Sequence, residues 1–160
     1  MKFPHRIIAV GALLAAAFAV PVAAIAASPG TQAAIDKLGE SMGIDNRTGE
    51  IKLSGQADKG YYRAYVCPTM AAASLTVRAI PKPSKRPGTV ARQVAAMKAA
   101  LRQQRCVPAR GTFHVTGLGP EVMIEHGYEA EENWVAVEAR NARGQVVGLI
   151  IDSSPYAPLQ

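Results

Sequence analysis

The sequence predicts an α+β fold, an antiparallel sheet packed on one long amphipathic helix and tied by one disulfide. Three observations carry this. The stretch from Thr89 to Cys106, TVARQVAAMKAALRQQRC, places apolar residues at helical spacing. Four short segments of strand-like alternation follow it, separated by turn residues. The two cysteines, Cys67 and Cys106, stand at the ends of a predicted strand and of that helix.

The first 26 residues read as a leader rather than as fold. Lys2 and Arg6 make a short positive segment, an Ala/Val/Leu-rich run follows, and Pro21 breaks it before Ala24-Ile25-Ala26. Small residues at −3 and −1 are what signal peptidase accepts, so cleavage is expected after Ala26. The rival reading is an uncleaved anchor, because the apolar run is nearly long enough to span a bilayer. Cleavage leaves 134 of the 160 residues, the size of one domain at 27–160, periplasmic or secreted and without stable membrane insertion. In an oxidising compartment an even pair of cysteines reads as a bond. Closing a loop of about 40 residues contributes roughly 4 kcal/mol on the chain-entropy account.

Residues 27–30 read as a loose start, and Thr31 as the cap of a short helix to about Gly43 with Ile35, Leu38 and Met42 inward. Asp45-Asn46-Arg47-Thr48-Gly49 is turn chemistry, and Arg47 stands where a calcium loop needs an oxygen ligand. Strands are expected at Glu50–Leu53, Tyr61–Cys67 and Ala73–Ile80. Alternation in YYRAYVC puts Tyr61, Arg63, Tyr65 and Cys67 on one face. The third segment has Leu75, Val77 and Ala79 in phase. Pro81 to Gly88 is a rigid, basic connection into the main helix.

Thr89 is the expected cap of that helix. Val90, Val94, Met97 and Leu101 then fall within about 60° of one another at 100° per residue, a narrow stripe suited to a sheet on one side. Lys98, Arg102, Arg105 and Arg92 lie on one flank, Gln93 and Ala100 on the other. Continued helix would carry Cys106 away from the stripe, so the helix should end by Gln104 or Arg105. Gly111–Gly117, Glu121–His126, Asn133–Ala139 and Val146–Asp152 complete a meander. Its expected turns are Gly117–Pro120, an acidic tip at Glu129–Glu132, and Asn141–Gly144. VVGLII is apolar on both faces, which suits a strand covered on both sides. Residues 153–160 carry two prolines and read as a loose tail.

Charge is distributed more tellingly than its total. Without the leader 16 of the 18 basic residues remain against 12 acidic ones. From Lys59 to Arg110 there are eleven cations and no acid, whereas Glu121 to Glu138 holds six acids and no Lys or Arg. Either the two halves neighbour and neutralise each other, or one face is left basic for an anionic partner.

No catalytic motif emerges. His114 and His126 could meet Glu121 or Glu125 across strands as an acid–base pair or a metal site. Neither H-x-H nor H-E-x-x-H spacing occurs, and a bonded cysteine pair supplies no nucleophile. No cofactor or metal is expected. Tyr61, Tyr62 and Tyr65 could form an aromatic binding face beside Arg63. Trp134 points opposite Val135 and Val137, towards a second covering layer or a partner. The reading is a non-catalytic exported binding module. Its contact candidates are Lys82, Lys85, Arg86, Lys98, Arg102, Trp134, Tyr61 and Tyr65, meeting a protein or an envelope polyanion rather than nucleic acid. The alternatives are a small hydrolase or metal-handling protein using His114 and His126 with nearby Glu, and a subunit of an envelope assembly.

Overall fold

A computed structural model describes residues 27–55, 57–58, 61–125 and 131–154, without the side chains of 40–42, 57–58, 61–62, 125 and 131. The fold is α+β. In chain order come α1 (Pro29–Met42), β1 (Glu50–Ser54), β2 (Ala57–Asp58), β3 (Tyr61–Tyr62), β4 (Ala64–Cys67), α2 (Met70–Ala79), α3 (Thr89–Gln103), β5 (Val107–Pro108), β6 (Arg110–Glu125), β7 (Glu131–Asn141) and β8 (Val146–Asp152). Six strands form one antiparallel sheet in the order β1-β6-β7-β8-β4-β5, and β2 pairs with β3 as a separate ribbon.

The sheet curls because β5 and β6 are nearly one strand. Only Ala109 separates them, and its amide donates to the Ala64 carbonyl at 3.0 Å. The same run of chain therefore closes on β4 at its start and on β1 and β7 further along. Curling creates two cores. The inner one gathers Ile51, Leu53, Phe113, Val115, Val135, Val137, Leu149 and Ile151 under Ala34, Ile35 and Leu38 of α1. The outer one packs Tyr65, Cys67, Trp134, Ala136 and Ile150 against Ala72, Ala73 and Val77 of α2 and Met97 and Leu101 of α3. Leu149 and Ile151 face inward and Ile150 outward, which explains why β8 is apolar throughout.

Three sequence expectations change. Ala73–Ile80 is not a strand but most of α2. Thr69 caps it, its hydroxyl accepting from Ala72 N at 3.1 Å, and Ala71-Ala72-Ala73 favours helix. The buried set Ala72, Ala73, Thr76 and Val77 has helical spacing, whereas Leu75, expected inward, is 55% exposed. The sheet therefore carries two helices on its outer face rather than one long one. Gly117–Pro120 is not a turn: β6 runs through it, with register shifts between Val115 and Gly117 and between Leu118 and Glu121. A Cβ at Gly119 would overlap the Met70 side chain, so the glycine leaves the notch in which α2 seats. Residues 27–30 are not loose. Ser28 Oγ accepts from Thr31 N at 3.1 Å and Pro29 opens α1, so Ser28 takes the capping role expected of Thr31.

Other expectations hold. Asp45 Oδ1 accepts from Arg47 N and Thr48 N, and Asn141 Oδ1 from Arg143 N and Gln145 N, as turn residues should. Cys67 and Cys106 are bonded. The helix before Cys106 stops at Gln103; Gln104 caps it and Arg105 takes φ 56°, turning Cys106 back to the sheet. At the far end of β8, the carboxylate of Asp152 is 2% exposed and receives Arg63 Nη2 at 2.9 Å, Ser154 Oγ at 2.7 Å and Ser154 N at 3.1 Å. That ion pair is partly buried, and its carboxylate accepts three hydrogen bonds, the condition under which a buried charge is tolerated. It also orders Ser153 and Ser154, two residues of the expected loose tail.

Candidate functional site

The outer face of the α2/α3 pair gathers most of the basic candidates. The helices run antiparallel. Gln93 near the start of α3 donates to Pro81 O, just past the end of α2, at 2.7 Å. At the other end, the disulfide joins Cys67, ahead of α2, to Cys106, beyond α3. Gln93 is wholly buried and also donates to Met123 O at 3.0 Å, so it pins α3 to both α2 and β6. The buried set of α3 is Gln93, Met97, Ala100 and Leu101, with Val90 and Val94 only half-buried. Relative to the expected stripe the helix is turned by about 45°, taking 100° per residue. The turn is towards Gln93 and Ala100 because α2 lies on that side, and it lifts the basic flank further out.

The connection is built around Thr89. Its hydroxyl donates towards Arg86 O at 2.6 Å and Ser84 O at 2.9 Å, and Arg92 Nη2 donates to it at 3.1 Å. Gly88, not Thr89, occupies the capping position, with φ 72°. Thr89 is thus drawn into the connection and orders the segment that carries Lys85 and Arg86.

Lys82, Lys85, Arg86, Lys98 and Arg102 are all exposed. Among the described residues none of them is in an ion pair. The described acids are engaged elsewhere. Glu121 pairs with Lys37 of α1 at 2.7 Å, Asp152 with Arg63, and Glu50 with Lys52 and His114. Glu138 accepts from Thr116 Oγ1 at 2.9 Å and Glu132 from Trp134 Nε1 at 3.0 Å. Direct pairing with those acids therefore leaves the basic face unneutralised.

The aromatic candidates stand differently. Trp134 is fully buried beneath the helix layer and Tyr65 is 7% exposed, their rings 6.2 Å apart. Both belong to the outer core and present no contact surface, because the second layer that Trp134 required is α2 and α3. Tyr61 lies in β3, with its side chain outside the described residues. Outside the contact set drawn from the sequence, Leu75, Arg78 and Arg105 are also exposed on or beside the same helix pair. A helical reading of 70–79 from its Thr69 cap would have set Leu75 and Arg78 outward.

His114 sits on the exposed face of β6, Nε2 3.6 Å from Glu50 Oε2 and opposite Arg140 on β7. His126 lies outside the described residues. No three His, Cys, Asp or Glu side chains converge among the described residues. His114 and Glu50 alone make an open surface pair without a nucleophile in hydrogen-bond reach. No helix among the described residues is long and apolar enough to cross a membrane. The chain matches no protein-family model, and no curated protein or solved structure matches it.

Proposed function

We propose that this chain is an exported, non-catalytic interaction module whose α2/α3 face meets an anionic partner. The observation that carries the reading is the set of exposed cations on two packed helices and their connection, none of them paired with a described acid. Exposed charges so arranged steer encounter and favour one sign of partner more than they fix a tight complex. The disulfide supports export, since such bonds persist in oxidising compartments. The leader-like first 26 residues support it independently.

Retention on a sulfated-polysaccharide column tests the reading. The wild type should elute at markedly higher salt than Lys98→Glu with Arg102→Glu, because screening shortens to below about 8 Å above physiological salt. Equal elution of the two proteins would reduce the face to solvated charge.

A further inference from the structure

We infer that the occupant of the α2/α3 face is the surface of an anionic phospholipid bilayer; the inference rests on the basic-face reading above. Three features of the face separate lipid from other anionic partners. The first is how the cations are held. Arg78, Lys98, Arg102 and Arg105 have no hydrogen-bonding or ionic partner among the described residues. A site for one discrete anion fixes its cations in advance; free ones suit a fluid array of phosphates that adapts to them.

The second feature is what lies between the cations. On α3 the exposed positions next to Lys98 and Arg102 include Ala91, Ala95 and Ala99, and across the helix pair α2 exposes Leu75. Short side chains let the helix approach the headgroups while Lys and Arg reach past them with their alkyl stems on the apolar side. Leu75, 55% exposed, is the one large apolar side chain that α2 and α3 present to solvent. It is placed to enter the headgroup boundary.

The third feature is what the face lacks. Neither α2 nor α3 contains an aromatic or an acidic residue. Protein interfaces take aromatic as well as Arg side chains as anchors at their desolvated centre, and these helices offer no aromatic one. A second copy meeting the face about a two-fold axis would set Lys98 and Arg102 against their own like charges. A bilayer needs neither anchors nor self-complementarity.

Sedimentation with vesicles decides the matter. The mature protein should co-sediment with phosphatidylcholine vesicles containing phosphatidylglycerol and remain free of pure phosphatidylcholine vesicles. Each cation at such a surface is worth about a fivefold change in partitioning, so Lys98→Gln with Arg102→Gln should bind about 30-fold more weakly. Leu75→Asn should lose about tenfold through its apolar term alone. Lys52→Gln with Arg143→Gln removes two exposed charges elsewhere and should leave binding unchanged; an equal loss there would show net charge rather than this face, and overturn the inference. All these positions are exposed, and circular dichroism of each variant checks that it is folded. Salt-sensitive retention on the sulfated column without binding to anionic vesicles would overturn the lipid assignment and leave the basic-face reading standing. Loss of both would overturn the two together.

Discussion

The amide of Cys106 donates to the carbonyl of Leu101 at 2.9 Å, and that bond turns the chain off the end of α3 towards Cys67. Together with Arg105 N donating to Arg102 O at 3.1 Å, it makes the paired closing bonds of a helix whose next residue is left-handed. The left-handed residue is Arg105, a side chain that disfavours this region, where glycine is usual.

Arg105→Gly should therefore stabilise the protein by up to about 1 kcal/mol, whereas Arg105→Val should destabilise it, since β-branching penalises positive φ further. Urea unfolding monitored by Trp134 fluorescence reads both.

Replacing Cys67 and Cys106 together by Ala should cost about 2–5 kcal/mol, because the bond ties β4 to the end of α3 across 39 residues. Intact wild-type protein, denatured without reductant, should take up no thiol label.

Gly148 on β8 lies under the start of α2, where a Cβ would overlap the Thr69 carbonyl and sit 2.6 Å from Ala73 Cβ. Gly148→Ala should push α2 off the sheet at a cost of about 1–3 kcal/mol. A matched Gly144→Asn, in an open turn at φ 76°, should cost far less, as the same denaturation series will show.

Acid should weaken the fold in a defined way. Lys37 beside Glu121 holds that carboxyl below its ordinary range, helped by the Asn133 amide and opposed by burial. The backbone amides of Thr48 and Arg47 do the same for Asp45. A carboxyl lowered in the folded state contributes stability that is present above its unfolded value, near pH 4, and lost as pH falls through its folded value. Glu121→Gln with Asp45→Asn should flatten the unfolding midpoint between pH 5 and about pH 2.5 relative to wild type. Parallel curves for the two proteins would show that these groups do not carry the acid response.

Much of this architecture was legible in local chemistry. The pairing of Cys67 with Cys106 follows from their being the two cysteines of the chain, and the stop before Cys106, the Asn141 turn and the two-sided apolarity of β8 follow from residues close in sequence. What escaped was set by packing between elements. Residues 73–80 satisfy period two and period 3.6 almost equally, and only the Thr69 cap with its alanines tips them to helix. Gly117-Leu118-Gly119-Pro120 has turn composition, yet its Gly119 serves the approach of Met70. Gln93 looked like the edge of a polar flank, because nothing local reveals that Pro81 and Met123 offer it carbonyls. Of the contact candidates, the cations were legible because charge marks a solvated face. Trp134 and Tyr65 were not, because an aromatic on a strand points outward or under a second layer with the same alternation.

The most direct test of the basic face is residue-level mapping of where an anion lands. Isotope-labelled protein comprising residues 27–160 would be titrated with a short polyphosphate while backbone amide shifts are followed. The face as described predicts salt-sensitive shifts concentrated on the exposed positions of α2, the 82–86 connection and α3, centred on Lys98 and Arg102. Shifts centred instead on Lys52, His114 and Arg140 of the β1–β6–β7 surface, or spread evenly over the molecule, would contradict it.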